Sequence, residues 1–172
     1  MRLIDADNCG CTACVVIVRQ EMGNKVLYVA NLGDTRAVLC SNNGISTRMS
    51  YDHRGTDPQE IERVRRDGGV IIEGRVGGSL AITRAFGDHS LKKDGVSAKP
   101  FIKKHILRPN DKVLVIASDG VWDSMEDQDA ANYCRDEFNS KDIAQAIVKG
   151  ALEKGSKDNT SCLAIKFNSS PF

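Results

Sequence analysis

The stretch that most constrains the fold is Lys112-Val113-Leu114-Val115-Ile116-Ala117-Ser118, which is followed directly by Asp119-Gly120. Its apolar residues are consecutive and lack helical spacing, so they predict a β-strand that is buried on both faces. Asp119 and Gly120 favour turns, and the strand is therefore predicted to end there. The stretch predicts a buried sheet with a carboxylate at one strand end.

Further strands are predicted on both sides of this stretch, at Thr12–Val18, Lys25–Asn31, Arg36–Cys40 and Ser161–Phe167. Turn residues at Met22-Gly23-Asn24 join the first two strands into a hairpin. The third strand follows the break Gly33-Asp34. Three antiparallel strands in succession predict a meander. Short strands are also predicted near 70–72 and 79–83.

Helices are predicted from Pro58 to Gly68-Gly69, from Glu126 to Phe138 and from Lys141 to Lys154. Asp57 is the predicted N-cap of the first helix, with Glu60 reaching back in a capping box. Ser124 and Ser140 are the predicted caps of the other two helices. Arg63, Arg65 and Arg66 are assigned to a solvated face of the first helix.

The composition is that of an ordinary globular domain. The chain has 172 residues, with 24 Lys and Arg against 23 Asp and Glu and a formal net charge of +1. The absence of a concentrated basic patch argues against a dedicated nucleic-acid or membrane-surface binder. No apolar run is long enough to span a membrane, and no signal peptide is evident. We therefore expect a soluble protein of the cytoplasm, the nucleus or both, with reduced cysteines.

Three aspartates lie where a predicted strand meets a turn, in Gly33-Asp34, Asp119-Gly120 and Asp158-Asn159. Carboxylates at the ends of neighbouring strands can converge, and Mg²⁺ or Mn²⁺ prefers such oxygen ligands. Aspartate is also simply common in turns, so spacing alone leaves both interpretations open.

The sequence around these aspartates is more specific. Four segments, in this order, resemble successive motifs of the metal-dependent type 2C serine/threonine protein phosphatases: Ala30–Leu39, Arg75–Asp88, Val115–Asp123 and Lys157–Ser161. The resemblance extends to Gly10-Cys11-Thr12-Ala13, where the family usually has Ser in place of Cys11, and to Tyr51-Asp52-His53. It covers nearly the whole chain.

The resemblance implies an α+β fold, an antiparallel β-sandwich with flanking helices, formed by a single partial domain over 1–172. Residues 70–100 would form a flap-like insertion bordering the active site. It implies that Asp119 and Asp158 bind the second of two catalytic Mg²⁺ or Mn²⁺ ions. Asp34 and Asp123, with Asp119, would form a weaker third metal site. In this family a metal-activated water attacks the phosphorus of a phosphoserine or phosphothreonine in a protein substrate.

One departure from the family pattern is important. The Asp-Gly-His-Gly-Gly motif, which supplies the carboxylate bridging both metals, has no counterpart upstream of Gly10. We therefore expect a C-terminal portion of a larger domain, completed by an N-terminal segment or by self-association. A pseudophosphatase that serves as a regulatory binding domain is the alternative, and an incidental metal-binding structural domain is a third. No catalytic or substrate-binding residue is assigned.

Two other groups have an ordinary structural interpretation. Cys9-x-Cys11-x-x-Cys14 has the look of a metal-binding motif, but no second Cys or His pair lies nearby, so burial is favoured. Trp122, next to a strand end, is predicted to pack in the core.

Overall fold

The computed structural model describes residues 8–136 and 139–167, without the side chain of residue 136. This part of the chain divides into two compact units. The smaller unit contains residues 8–13, 30–34 and 51–101, and the larger unit contains most of the remainder. The assignment of one domain to 1–172 stays a prediction.

The chain forms β-strands and helices in the following order: β1 Gly10–Cys11, β2 Ala13–Glu21, β3 Asn24–Leu32, β4 Arg36–Ser41, β5 Ser46–Arg48, α1 Pro58–Arg66, β6 Ile71–Ile72, β7 Arg75–Val76, β8 Phe86–Gly87, a 3-10 helix His89–Asp94, β9 Phe101–Ile106, β10 Asp111–Ala117, α2 Asp119–Trp122, α3 Asp127–Asp136, α4 Ser140–Glu153 and β11 Cys162–Lys166. Among the described residues, no helix has the length and apolar character needed to cross a membrane.

Two sheets carry the predicted sandwich. One has the strand order β11-β10-β4-β5, with antiparallel pairing throughout, and the other has the order β2-β3-β9. Strand β10, the apolar stretch of the sequence, is hydrogen-bonded on both sides, where Val115 lies opposite Val38 and Ala164. The predicted α+β fold, an antiparallel β-sandwich with flanking helices, is confirmed.

Side-chain alternation explains why β10 is apolar throughout. On one face, Leu114 packs with Leu39 of β4 and Leu27 of β3 in a buried cluster between the sheets. On the other face, Val113 and Val115 pack against the helices, in a second buried cluster. The helices contribute to that cluster Trp122, Ala130, Ala131, Ile143, Ile147 and Ala151. Both faces of β10 are therefore covered, and Trp122 is a core residue as predicted.

The predicted meander is wrong. Strand β4 pairs with β10 and β5, whereas β3 pairs with β2 and β9. The chain changes sheets at the break after Leu32, where Gly33 has a φ of +90°. Such a left-handed backbone is costly for residues with a Cβ atom, so glycine suits this position. The break redirects the chain where the prediction continued the same sheet.

The predicted helix ends are partly correct. Asp57 caps α1 by accepting hydrogen bonds from the amides of Gln59 and Glu60. The side chain of Glu60 is buried in ion pairs and forms no capping box. Helix α4 is capped by Asn139, one residue before the predicted cap Ser140, because its side chain accepts from the amide of Asp142. The predicted end of the preceding helix at Phe138 lies outside the described residues.

Two further expectations about the smaller unit are corrected. Arg63 does not lie on a solvated face: its side chain is 12% exposed and binds Glu60, whereas Arg65 and Arg66 are exposed as predicted. The predicted strand over 79–83 appears only as isolated bridges at Leu80 and Ile82.

Candidate functional site

Strand β10 leads directly into the short helix α2, which carries two of the predicted metal ligands. Asp119 begins α2, and Asp123 follows its last residue, with its amide donating to the Asp119 carbonyl at 2.8 Å. Trp122 fixes the helix, because its side chain is buried and its Nε1 donates to the Ala117 carbonyl at 2.9 Å. The positions of Asp119 and Asp123 are therefore set by the core.

The loop that carries Asp158 is hydrogen-bonded to the residue before Asp119. The Ser118 amide donates to the Ser161 carbonyl at 3.1 Å, and the Ser161 amide donates to Ser118 Oγ at 3.1 Å. Ser118 Oγ also donates to the Asn159 carbonyl at 3.2 Å. A Cβ atom on Gly120 would lie 2.4 Å from that carbonyl oxygen, so the two turns approach closely only because residue 120 is glycine. The strand ends bearing Asp119 and Asp158 are thus adjacent.

The two carboxylates in these turns have few protein partners. Asp119 Oδ1 accepts a hydrogen bond from the Gly120 amide at 2.9 Å, and Asp158 Oδ1 accepts one from the Asn159 amide at 2.6 Å. Asp158 is exposed and Asp119 is half-buried. Each carboxylate therefore keeps acceptor capacity for a further ligand.

An open pocket of about 510 Å³ adjoins this region. Asp123 and Asp158 line it together with Lys154, Ser156 and Lys157. Ser156 holds the pocket wall to α2, since its Oγ donates to the Gly120 carbonyl at 2.6 Å. The structure therefore brings Asp123 and Asp158 to one cavity, next to the turn that carries Asp119.

The fourth predicted ligand, Asp34, lies in the smaller unit, whereas the other three lie in the larger one. It follows the Gly33 turn, is 8% exposed and has its Oδ2 atom 3.3 Å from Arg54 Nη2. His53 supports the turn from within the core, with Nδ1 3.0 Å from the Gly33 carbonyl oxygen. Burial, and secondarily the Arg84 charge, lowers the pKa of His53 to about 4, so its ring is neutral at pH 7.

The carboxylate oxygens of the site are ligands of the kind that a hard divalent cation prefers, but too few of them are grouped together in the described part of the chain to complete a site. Asp119, Asp123 and Asp158 offer carboxylate oxygens, which Mg²⁺ and Mn²⁺ prefer. Across residues 8–136 and 139–167, however, no three His, Cys, Asp or Glu side chains are grouped closely enough to hold a metal ion. The four-aspartate assignment stays a prediction, and the described residues do not complete a metal site.

Sequence reasoning missed the residues that organise this site. Ser118 and Ser156 join the two turns, and Arg54 pairs with Asp34. Ser118 precedes Asp119 directly, and Arg54 follows the Tyr51-Asp52-His53 segment, so both stand inside motifs that the sequence had singled out. A serine beside a turn has no distinctive pattern of its own, which is why its role required the structure.

Comparisons with known proteins agree on a family. The sequence profile described as Protein phosphatase 2C matches residues 2–160. The chain is similar to Protein phosphatase 2C homolog 1 of Schizosaccharomyces pombe, with 42% identity over 96% of this chain and 48% of that protein. It is also similar to Protein phosphatase 2C homolog 1 of Saccharomyces cerevisiae, with 38% identity over 92% of this chain and 60% of that protein.

A solved structure has the same fold. It is described as a Caenorhabditis elegans sex determining protein and matches with a TM-score of 0.78 at 28% identity, over 94% of this chain and 41% of its own. The chain thus spans about half the length of the proteins that it matches.

Proposed function

The chain belongs to the protein phosphatase 2C family, and from that premise we propose that it forms part of a catalytic domain that hydrolyses phosphoserine and phosphothreonine in proteins. The partner implied is a phosphoprotein substrate. Since the chain spans about half of its relatives, the remaining part of the site is assigned to residues outside it.

One observation supports the proposal most directly. The ends of two strands, bearing Asp119 and Asp158, are joined by hydrogen bonds through Ser118. The turns that carry these two carboxylates are therefore adjacent, and a divalent cation bound there would offset the repulsion between like charges.

In the proposed site, Asp119 and Asp158 would hold one Mg²⁺ or Mn²⁺ ion, while the weaker metal site that the resemblance implies for Asp34, Asp119 and Asp123 stays a prediction. A bound divalent cation supplies a lowered pKa for a coordinated water and neutralises charge on phosphoryl oxygens. The residues of this chain hold the carboxylates in place: the Trp122 anchor fixes α2, and Ser118 fixes the Asp158 loop.

A regulatory binding domain without catalysis is the second candidate. It is favoured by the finding that no three potential metal ligands are grouped within the described residues. The two candidates differ in whether residues beyond this chain supply the missing ligands.

The experiment that separates them is an activity measurement on the product of the complete coding sequence. We expect Mn²⁺-dependent release of phosphate from a phosphothreonine peptide, abolished by a chelator. The variants Asp119→Asn and Asp158→Asn should lower the rate by at least 10–100-fold, roughly the loss seen when residues that merely support metal ligands are removed.

Asp142→Asn serves as the control, since this carboxylate lies at the start of α4 and does not line the pocket. It should retain activity. Hydrolysis that survives a chelator, or full activity in both metal-ligand variants, would overturn the metal assignment. Absence of hydrolysis by the wild-type product with any divalent cation would favour the regulatory binding domain.

A further inference from the structure

The segment Cys9-Gly10-Cys11 carries the two most accessible thiols of this chain. All six cysteines lie in the described part of the chain, and all are free. Cys9 and Cys11 are exposed, contrary to the burial predicted for their motif, whereas Cys40 is buried and the remaining three are half-buried. An oxidant in solution therefore meets Cys9 and Cys11 first.

Three of the other thiols are less reactive as well as less accessible. Burial raises the pKa of Cys14 to about 11 and that of Cys162 to about 12. A hydrogen bond with the Cys40 thiol, together with burial, raises the pKa of Cys134. Because the thiolate is the reactive form, these three cysteines react slowly at neutral pH.

The backbone places the two exposed thiols on one side. Strand β1 pairs with β8, with Gly10 opposite Gly87 and Cys11 opposite Phe86. The Asp88 amide donates to the Cys9 carbonyl at 2.8 Å, which continues the ladder by one residue. In an extended segment, side chains two residues apart point to the same face. Cys9 and Cys11 are therefore neighbours across Gly10.

We propose that Cys9 and Cys11 are a site of reversible oxidation, at which hydrogen peroxide converts the two thiols into one intramolecular disulfide. One thiolate sulfur attacks a peroxide oxygen and breaks the O–O bond, which gives a sulfenic acid and releases hydroxide, protonated to water. The second sulfur then attacks the sulfenic sulfur, the S–O bond breaks, and a second water leaves. Two electrons pass from the thiols to the peroxide.

The geometry of an extended strand does not suit a disulfide between residues 9 and 11. Residues two apart in a strand have Cα atoms about 6.6 Å apart, at the upper limit of the disulfide range and beyond its commonest value of about 5.5–6 Å. Closing the bond therefore bends the segment at Gly10 and pulls Cys9 away from β8. Strained, exposed disulfides are easily reduced, so the oxidation is reversible.

Two contacts connect this bend to the rest of the smaller unit. A Cβ atom on Gly10 would lie 2.0 Å from Asp88 Oδ2, so the Asp88 carboxylate rests directly on the residue that must bend. Thr12, the residue after Cys11, packs on Gly33, where a Cβ atom would lie 2.3 Å from Thr12 Cγ2. Oxidation should therefore loosen β1 and β8 and disturb the turn that carries Asp34.

The site is tested on the purified chain by peptide mapping. Trypsin releases the peptide Leu3–Arg19, which contains Cys9, Cys11 and Cys14. After treatment with hydrogen peroxide, we expect this peptide to lose two hydrogens, with fragment ions that place the bond between Cys9 and Cys11, and to regain them with dithiothreitol. Cys14→Ser, the matched control, should oxidise in the same way.

Cys9→Ser and Cys11→Ser should each prevent the bond. The proposal is overturned if the bond joins Cys14 to either partner, if the two thiols remain reduced, or if they pass irreversibly to sulfinic acid without a disulfide.

Amide hydrogen exchange tests the structural consequence without reference to catalysis. In the oxidised chain the Asp88 amide should exchange at least about tenfold faster, because its acceptor on Cys9 is lost, whereas the Leu114 amide in β10 should not change. Equal exchange at Asp88 in both redox states would show that the disulfide closes without bending β1.

Discussion

Glu60 shows how a single carboxylate organises the smaller unit. It is 2% exposed, accepts hydrogen bonds from Arg84 Nη2 at 2.5 Å and Thr83 Oγ1 at 2.5 Å, and pairs with Arg63 Nε at 3.1 Å. Burial alone would raise the pKa of Glu60, but these donors outweigh it and lower the pKa to about 2. The carboxylate thus joins α1 to the segment before β8.

Replacing Glu60 with Gln should be strongly destabilising, because two mostly buried arginines would lose their counter-charge. Breaking a buried ion pair typically costs about 3–5 kcal/mol. We expect a loss of that order in the free energy of unfolding, measured by urea denaturation at pH 7. Glu62→Gln, an exposed position in the same helix, is the control and should change it by less than about 0.5 kcal/mol. Equal effects in both variants would contradict the role assigned to Glu60.

His53 predicts a loss of stability in weak acid. Its folded pKa of about 4 lies below the ordinary histidine value of 6.5, so between these values the unfolded chain binds the proton more readily. Stability should therefore fall by about 2 kcal/mol from pH 7 to pH 5, in addition to other titrations. Glu60 has a folded pKa of about 2, so its protonation lowers the stability only below about pH 4.5.

The measurement has two parts. NMR of the folded chain should show that the His53 ring stays neutral down to pH 5, and the pH 7 to pH 5 loss should shrink in His53→Gln. A His53 resonance that titrates near 6.5 would contradict the prediction. Burial and the charges of Arg84 and Arg63 lower the pKa of His53, whereas the Glu60 charge and the hydrogen bond with the Gly33 backbone oppose that shift.

At the scale of elements, α3 and α4 meet at a glycine. A Cβ atom on Gly150 would lie 2.3 Å from Tyr133 Oη and 2.9 Å from Met125 Cε. In a free helix, alanine would be favoured over glycine by about 1 kcal/mol. Here we expect the contact to outweigh that preference, because Tyr133 packs against the helical core cluster.

Gly150→Ala should therefore destabilise the chain by about 1–3 kcal/mol, the usual cost of overpacking. The double variant Gly150→Ala, Tyr133→Phe should recover part of that loss, because the nearest atom is the tyrosine hydroxyl. Thermal unfolding of the three variants measures both effects. Stabilisation by Gly150→Ala alone would show that helix propensity outweighs the contact.

The elements that sequence predicted well are those with a strong local signal. The apolar run of β10 correctly predicted a buried strand, and Asp57 before Pro58 correctly predicted the start of α1. The predicted roles of Glu60 and Arg63 were wrong. A local pattern shows on which face of a helix a residue lies, but it does not show which distant side chain that residue contacts. Their partners Thr83 and Arg84 lie on a remote segment.

The candidate site, too, was predicted only in part from the sequence. The resemblance named Asp119 and Asp158 from their motifs, and the structure places their turns side by side through Ser118. The meander failed because the period of a strand shows which residues alternate but not which sheet the strand joins. Gly33 directs that choice, and its φ is not visible in the sequence.

At the scale of the whole molecule, the metal prediction can be tested on the chain by itself. With no group of three ligands among its described residues, we expect weak Mn²⁺ binding, with a Kd on the order of 0.1–1 mM, as in protein sites with few charged ligands. Isothermal titration calorimetry measures it. Asp158→Asn should weaken the binding further, with Asp142→Asn as the control.

A low micromolar Kd for the wild-type chain would contradict this expectation. It would mean that the chain gathers more ligands than the described residues bring together.

The strand order has a consequence for synthesis on the ribosome. Strand β4 has its main partner in β10, where Leu39 lies opposite Leu114, and everything from α1 to β9 is translated between them. Pairing over such a sequence distance is slow, since the entropy of closing the loop is lost before any contact compensates for it. Until Ala117 has left the exit tunnel, the apolar faces of β4 stay without their partner. The nascent chain is therefore a candidate for chaperone protection during that interval.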